Sequence, residues 1–247
     1  GEVKDHLNKK PDFIGITANI LTIKRAATYA QELKTLYPLA QIVFGGPQAS
    51  VMGRKLLEKY SFVDALVLGE GEETVSDLAQ RIGTRQMYAD IPGIIYREKG
   101  SIVENGLRPL IEDINTIPIP LYDILPPLSS YRSRSRAYPV GYIFTSRGCP
   151  AACTFCYRNF GSKWRARTPE SVLEEITLLR TKYGIRQLDI LDDNFCFDTD
   201  RANRILEMII AKNWGLKINL QMGVRVNNLN NKLLSTINWE EEELKIL

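Results

Sequence analysis

Three of the four cysteines in this sequence lie within eight residues, and they are the side chains best suited to chemistry. Cys149, Cys153 and Cys156 have the spacing C-x-x-x-C-x-x-C, and clustered thiolates favour soft metals. A structural zinc site needs four ligands, so it would have to recruit His6 or Cys196. A four-iron cluster held by three thiolates instead leaves one iron open, much as a catalytic zinc keeps one position free. The odd number of ligands therefore predicts an iron-sulfur cluster that binds a small molecule at its fourth iron.

Cys196 leaves a second interpretation open. A lone cysteine near a buried strand is usually a small apolar core residue, and this is what we predict for Cys196. If it were instead a fourth ligand, the site would close. The chain would then be a non-catalytic module that holds zinc or a closed iron-sulfur cluster for structure or electron transfer.

Polar residues follow two further predicted strands. Asp193 and Asn194 end the run IRQLDILDDNF, and Arg225 ends the run QMGVRV. In a parallel β/α fold these strand ends lie on the rim that also carries the cysteine loop. The alternative is that Asp and Asn simply end a strand and cap the next helix. We predict a binding role for Asp193 and Asn194, and a contact with a carboxylate for Arg225.

The composition limits the class of protein. The chain has 247 residues, of which 44% are apolar and 25% charged, which is enough for one large or two small globular domains. No apolar run approaches the ~20 residues of a membrane span, and GEVKDHLNKK lacks the apolar region of a signal peptide. The net charge of +3 does not argue for nucleic acid. These features predict a cytoplasmic protein without a membrane span or a nucleic-acid partner, in which clustered cysteines are ligands rather than disulfides.

The pattern of apolar runs predicts two α/β domains. In residues 1–84, the runs DFIGIT, QIVFGG and DALVLGEG read as buried strands that alternate with helices, which is typical of a parallel sheet. Ligands of such sheets bind at the carboxyl ends of the strands. Those ends hold Thr17, Gly45, Gly46, Gly69, Glu70 and Gly71.

The rest of the chain is predicted as a linker and a second domain. Seven of the twelve prolines lie between Pro92 and Pro139, so residues 85–139 are interpreted as a proline-rich linker that contains a hairpin, IIYREKGSIVEN. Strand and helix patterns return in residues 140–247. Thr168 followed by Pro169 predicts a helix start there. About three strands are visible, too few to close a barrel, so this domain is predicted to be incomplete at its C-terminus.

The cysteine loop also resembles a known signature. The run CPAACTFC matches C-x-x-x-C-x-aromatic-C of the radical S-adenosylmethionine (SAM) superfamily, with Phe155 in the aromatic position. The resemblance implies a partial TIM-like (β/α) barrel, a [4Fe-4S] cluster on the three cysteines, and SAM bound to the open iron. In that superfamily, an electron from the cluster cleaves SAM to methionine and a 5'-deoxyadenosyl radical. It further implies that Phe155, Asp193, Asn194 and Arg225 contact SAM.

The similarity extends to one subgroup of that superfamily. IFTSRGCPAACTFCYRNF and LDILDDNF resemble the cobalamin (B12)-dependent subgroup, which includes the anaerobic magnesium-protoporphyrin monomethyl ester cyclases and several methyltransferases. GGPQAS and LGEGEET resemble loops that lie against cobalamin in a flavodoxin-like domain. This implies that cobalamin contacts Thr17, Gly45, Gly46, Pro47, Ser50, Gly69, Glu70 and Gly71. It also implies methyl transfer or ring closure on a small-molecule substrate, with a flavodoxin or ferredoxin-type electron donor.

The sequence departs from that subgroup in two respects. Only three strands are predicted in each domain, so the chain is interpreted as the middle of a longer protein, truncated at both ends and poorly active by itself. The pattern D-x-H-x-x-G, which supplies a histidine to cobalt in some cobalamin proteins, is absent from the sequence. We therefore expect no histidine ligand to cobalt. A binding scaffold that keeps the cobalamin-type fold without chemistry stays a third interpretation.

Overall fold

The computed structural model of the protein describes residues 10–82, 88–131 and 135–236. It divides into two compact units, residues 1–111 and 112–247. His6, considered above as a zinc ligand, lies outside the described residues. No helix in the described part of the chain is long and apolar enough to cross a membrane.

The first unit is a five-stranded mixed sheet with helices. Its elements are β1 (Phe13–Thr17), α1 (Ile23–Leu36), β2 (Gln41–Gly45), α2 (Pro47–Met52), α3 (Arg54–Lys59), β3 (Ala65–Val67), α4 (Glu72–Ile82), β4 (Ile94–Glu98) and β5 (Ser101–Glu104). The strand order is β1-β2-β3-β4-β5, in which the first three strands are parallel and the last two antiparallel. The predicted α/β fold with three β-α repeats is confirmed.

Buried apolar residues explain why the sheet forms. In β2, Ile42 and Phe44 pack into one apolar cluster and Val43 into another, as expected for a strand covered on both faces. On α1, Ala26, Ala30 and Leu33 share one buried face, at the spacing of an amphipathic helix. The run predicted as one helix after β2 forms two short helices that meet at Gly53.

The predicted linker does not form a separate segment. Its hairpin, β4 and β5, extends the sheet of the first unit, because Ala65–Val67 pairs antiparallel with Ile94–Tyr96. Ile94, Ile95 and Tyr96 are all buried, so this strand is part of the core rather than a surface hairpin. The division after residue 111 assigns the rest of the proline-rich stretch to the second unit, unlike the boundaries at 84 and 139 proposed from the sequence.

The second unit contains a parallel three-stranded sheet. Its elements are β6 (Val140–Ile143), β7 (Ser146–Arg147), β8 (Arg165–Ala166), α5 (Pro169–Lys182), β9 (Gln187–Ile190), α6 (Thr199–Ala211), β10 (Lys217–Leu220) and α7 (Asn231–Thr236). The order is β10-β9-β6, and a separate pair, β7-β8, is antiparallel. Residues 148–164, which include the cysteines, run between β7 and β8, so this pair closes the base of the cysteine loop.

Helix α5 begins where the sequence predicted. Thr168 Oγ1 accepts a hydrogen bond from the Ser171 N–H at 3.2 Å, and Pro169 occupies the first turn. Val172, Ile176 and Leu179 are fully buried against the sheet. The helix therefore anchors the chain that returns from the cysteine loop.

One buried ionic group joins three segments of the second unit. Arg167, just after β8, forms an ion pair with Glu175 of α5. The Tyr122 hydroxyl donates a hydrogen bond to the other carboxylate oxygen of Glu175 at 2.6 Å. The side chains of Arg167 and Glu175 are only 11% and 3% exposed. The group fixes the proline-rich segment and the end of the cysteine loop to α5.

Candidate functional site

The cysteine loop begins at a position, residue 148, that only glycine can occupy. Gly148 has φ +82°, and a Cβ built there would lie 2.2 Å from the carbonyl oxygen of Lys163. The loop is drawn together at this point, since Cys149 N–H also donates to the Gly161 carbonyl at 3.2 Å. Cys149 is buried, whereas Cys153 and Cys156 are exposed.

We expect Gly148→Ala to open the cysteine loop. Gly184 is a matched control, because its φ is +65° but a Cβ there would meet no atom within 4 Å. Gly184→Ala should cost about 1 kcal/mol of unfolding free energy, and Gly148→Ala at least about 2 kcal/mol more, because it adds overlap with backbone. Chemical unfolding of both variants, with hydrogen exchange of residues 145–167, measures the difference. Equal stability of the two variants would contradict the close approach at Gly148.

One cavity of about 250 Å³ brings the predicted residues of the second unit together. Of the sequence-predicted residues it is lined by Cys149, Cys153, Phe155, Cys156, Asp193, Asn194 and Arg225. Ala151, Arg158, Met222, Gly223 and Val224 complete the lining and were not singled out from the sequence. Met222–Val224 precede Arg225 in the run QMGVRV, and Arg158 follows Cys156 in the run CPAACTFCYRNF. Their closeness to predicted site residues was the only sign in the sequence that they could line the cavity. The cavity therefore combines three thiols, one carboxylate, one amide and two guanidinium groups.

The successive residues after β9 contact successive residues of the chain that leads into the cysteine loop. Asp192 accepts hydrogen bonds from the Thr145 N–H at 2.6 Å and from the Ser146 hydroxyl at 2.6 Å. Asp193 accepts one from the Gly148 N–H at 3.2 Å. The Asn194 Nδ2 lies 4.0 Å from the Cys149 Sγ. Consecutive side chains of this strand end thus hold the chain that leads into the first cysteine.

Burial sets the electrostatics of the two aspartates. Desolvation raises the pKa of Asp192, and the hydrogen bonds from Ser146 and Thr145 oppose that rise. Desolvation also raises the pKa of Asp193, opposed by the Gly148 N–H. Asp192 is 2% exposed, and it is not one of the cavity-lining residues. Asp192 is therefore a structural residue of the loop, whereas Asp193 is available to a ligand.

Cys196 does not line the cavity that contains the other three cysteines. It is 1% exposed and packs within the apolar core of the second unit with Phe195. Burial, with the nearby Asp192 carboxylate, raises the pKa of the Cys196 thiol to about 12. A thiol that resists ionisation is a poor metal ligand, because the thiolate is the binding form. The structure thus supports the core-residue interpretation of Cys196.

The donor set of this cavity fits a four-iron cluster with an open iron. Among the described residues, no three His, Cys, Asp or Glu side chains lie close enough together to hold a single metal ion. The thiolates of a four-iron cluster bind different irons, so they need not converge on one point. The buried Asn194 Oδ1 has no hydrogen-bond partner among the described residues. An unpaired acceptor beside three thiols suits a cofactor that carries a hydrogen-bond donor.

A second cavity, of about 360 Å³, lies within the first unit at the carboxyl ends of β1, β2 and β3. Of the residues predicted from the sequence it is lined by Thr17, Gly45, Gly46, Gly69 and Gly71. Phe13, Gly15, Ile16, Val43, Val67 and Val75 complete the lining. The wall is therefore apolar and glycine-rich. A Cβ at Gly45 would meet only the Val67 oxygen at 4.0 Å, and one at Gly69 nothing within 4 Å, so these glycines leave room for a broad ligand.

The structure does not place Pro47, Ser50 and Glu70 in the lining of that cavity. Pro47 begins α2. The Ser50 hydroxyl accepts a hydrogen bond from the Gly69 N–H at 2.9 Å and so joins α2 to the loop after β3. Glu70 is buried and accepts a hydrogen bond from the Ile111 N–H at 2.8 Å. The side chains of Ser50 and Glu70 are therefore used to hold the surrounding backbone, and Pro47 starts the helix that follows β2.

Family models match both units. Residues 3–79 match the B12 binding domain, and residues 143–246 match the radical SAM superfamily. The chain carries a B12-binding domain and a radical SAM domain. The matched ranges contain the glycine-lined cavity and the cysteine-lined cavity, respectively. The radical SAM domain implies a [4Fe-4S] cluster and SAM as cofactors, and the B12-binding domain supports cobalamin.

Two similar proteins match most of this chain. The chain is 36% identical over 225 residues to an uncharacterized methyltransferase of Pyrococcus horikoshii, covering 90% of this chain and 48% of that protein. It is 28% identical over 187 residues to the anaerobic magnesium-protoporphyrin IX monomethyl ester cyclase of Synechocystis sp., covering 75% of this chain and 37% of that enzyme. The chain thus spans about half or less of the length of these relatives.

A solved structure supports the fold. The chain matches the radical SAM methyltransferase TsrM from Kitasatospora setae, a structure with cobalamin and a [4Fe-4S] cluster bound, with a TM-score of 0.64. The identity is 22%, and the match covers 85% of this chain and 42% of that one. At this identity the likeness establishes the shared fold. It agrees with the α/β architecture of both units.

Proposed function

We propose that this chain is the cofactor-binding part of a cobalamin-dependent radical SAM methyltransferase that acts on a small organic molecule. The observation that carries the proposal is the single cavity that brings together Cys149, Cys153 and Cys156 with Asp193, Asn194 and Arg225. Thiols, hydrogen-bond acceptors and a cation in one cavity match a cluster with an amino acid bound beside it. Methyl transfer is favoured over ring closure, because the Pyrococcus horikoshii relative, whose match covers 90% of this chain, is named as a methyltransferase.

In this proposal, different residues of the cavity bind the iron-sulfur cluster and SAM. Cys149, Cys153 and Cys156 would hold the cluster, which when bound supplies the electron that cleaves SAM. The Asp193 carboxylate and Asn194 Oδ1 would accept hydrogen bonds from the amino group of SAM. Arg225 would bind its carboxylate, with Arg158 as a second cation in the cavity. Phe155, 92% exposed, would cover the apolar part of a bound ligand.

The glycine-lined cavity is proposed to receive cobalamin. Gly45 and Gly69 leave open space at the strand ends, so the backbone can approach the flat face of a large ring. Thr17 contributes a hydroxyl to the same wall. Because His6 is the only histidine in the sequence and no D-x-H-x-x-G pattern is present, we propose that the protein supplies no histidine to cobalt. A flavodoxin or ferredoxin-type donor and a cytoplasmic location complete the proposal.

Filling the glycine-lined cavity should weaken cobalamin binding without unfolding the protein. In Gly45→Val, the added carbons enter the cavity, because a Cβ there meets only the Val67 oxygen at 4.0 Å. We expect at least about tenfold weaker binding, equivalent to about 1.4 kcal/mol. Gly106→Val is the matched control, because Gly106 also has open space around its Cβ but does not line the cavity. Titration of cobalamin followed by absorbance measures both; equal affinity of the two variants would place cobalamin elsewhere.

The products of SAM distinguish methyl transfer from other radical chemistry. Anaerobically reconstituted protein with cobalamin, SAM and a chemical reductant should form S-adenosylhomocysteine only when cobalamin is present, since SAM that loses its methyl group leaves that product. Mass spectrometry quantifies S-adenosylhomocysteine and 5'-deoxyadenosine together. Formation of 5'-deoxyadenosine alone would support hydrogen abstraction and reject methyl transfer. Neither product from protein loaded with all three cofactors would contradict catalysis by this chain.

A further inference from the structure

The amide of Asn194 occupies an unusual position between a cysteine and a cavity. It is 3% exposed, and it lines the cysteine-lined cavity. Its Nδ2 lies 4.0 Å from Cys149 Sγ, while its Oδ1 has no partner among the described residues. Nδ2 can only donate and Oδ1 can only accept, so the two ends of the amide serve different partners.

The surrounding structure positions the residue that carries this amide. Asp192 and Asp193, the two preceding residues, are hydrogen-bonded to Thr145, Ser146 and Gly148 of the adjoining chain. Phe195, the following residue, is 2% exposed in the apolar core. Because the residues on both sides of Asn194 are held, its backbone has little freedom to move away from the cysteine loop. The fold of the strand end therefore keeps this side chain beside Cys149.

We propose that Asn194 is a positioning residue that raises the reduction potential of the cluster by donating an N–H to the sulfur of Cys149. The inference rests on the proposed function, in which Cys149 is a cluster ligand. A ligated cysteine is a thiolate, and a hydrogen bond to an ionised acceptor is shorter and stronger than one to a neutral thiol. Reduction adds negative charge to the cluster and its sulfurs, so an N–H aimed at sulfur stabilises the reduced state more than the oxidised one.

The unpaired Oδ1 extends this role to the ligand. A donor group bound in the cavity would hydrogen-bond to Oδ1 and polarise the amide, which strengthens the donation from Nδ2. The same side chain thus links occupation of the cavity to the ease of reducing the cluster. A ligand with an amino group should therefore raise the reduction potential of the cluster. The rise should be smaller when Asn194 is replaced.

A redox titration of anaerobically reconstituted variants of the 247-residue chain tests the proposal. Asn194→Leu keeps the approximate shape of the side chain and removes the donor. We expect an about tenfold smaller ratio of reduced to oxidised cluster at a fixed potential, which is about 59 mV for a one-electron couple. Asn203→Leu is the control, since Asn203 is a fully buried asparagine of the same unit that does not line the cavity. Its potential should equal that of the wild type.

The outcomes separate this proposal from the proposed function. Wild-type protein that holds no iron would overturn both. A normal iron content with equal potentials in wild type and Asn194→Leu would overturn the role of Asn194 alone. If Asn194→Leu fails to assemble a cluster, pulsed EPR of wild-type protein labelled with ¹⁵N-asparagine decides. A ¹⁵N coupling to the reduced cluster supports the N–H···S contact, and its absence overturns it.

Discussion

Cys153→Ser and Cys156→Ser are expected to lose the cluster completely while leaving the protein folded. Both cysteines are exposed and line the cavity, so the loss of either sulfur removes one ligand at little cost to packing. After anaerobic reconstitution, we expect the thiolate-to-iron absorption at roughly 400 nm to vanish, with iron falling from about four per chain to near zero. Unfolding curves of the metal-free variants should match those of the wild type.

Cys196→Ala is the matched control for the cysteine replacements. Because Cys196 packs in the apolar core, its loss should cost about 1 kcal/mol of unfolding free energy and leave the iron content unchanged. The opposite pattern, with iron lost in Cys196→Ala and retained in Cys153→Ser, would support the closed four-cysteine module. It would contradict the open iron on which the proposed function depends.

Glu175→Ala should produce the largest loss of stability. The change leaves the guanidinium of Arg167, 11% exposed, without its carboxylate partner, and removes the acceptor of the Tyr122 hydroxyl. Breaking one side of a buried ion pair typically costs about 3–5 kcal/mol. Tryptophan fluorescence in a urea titration is a suitable probe, because Trp164 and Trp214 lie in the second unit and residues 1–111 contain no tryptophan.

The adjacent residue of α5 supplies the control for Glu175→Ala. Glu174 is exposed, so Glu174→Ala should change the unfolding free energy by less than about 0.5 kcal/mol. Tyr122→Phe, which removes only the hydrogen bond, should cost about 1 kcal/mol. If Glu175→Ala were no more damaging than Glu174→Ala, the buried group would not fix the proline-rich segment to α5.

Local features of this protein could be predicted from the sequence. The start of α5 follows from Thr168 and Pro169, whose effects depend only on the neighbouring backbone. Asp193, Asn194 and Arg225 could be placed on one cavity with the cysteines because the carboxyl ends of parallel strands share an edge. The shared edge of strand ends expected from the sequence therefore coincides with the lining of this cavity.

Features that depend on distant contacts could not be predicted. The hairpin β4-β5 looked like a surface element of a linker, since nothing local shows that Ile94–Tyr96 pairs with β3. Glu175 follows Glu174 in the sequence, and only the distant Tyr122 and nearby Arg167 make it a buried residue. The pairing of a strand or carboxylate with a partner far along the chain is a property of the fold.

The sequence also does not show which residues near a cavity line it and which support the backbone around it. Ser50 and Glu70 belong to runs that resemble cobalamin contacts, and in the structure their side chains bind the Gly69 and Ile111 N–H groups. Asp192 sits beside Asp193 but holds Thr145 and Ser146 instead of lining the cavity. Sequence proximity identified the loops, whereas the division between supporting and lining residues required the side-chain contacts.

We propose that Cys149, Cys153 and Cys156 hold a four-iron cluster whose open iron binds SAM. The most direct measurement is iron and acid-labile sulfide per chain after anaerobic reconstitution, with EPR of the reduced protein before and after addition of SAM. We expect about four irons and about four sulfides per chain, and an EPR spectrum that changes when SAM is added. Zinc in place of iron, or a cluster whose spectrum is the same with and without SAM, would contradict it.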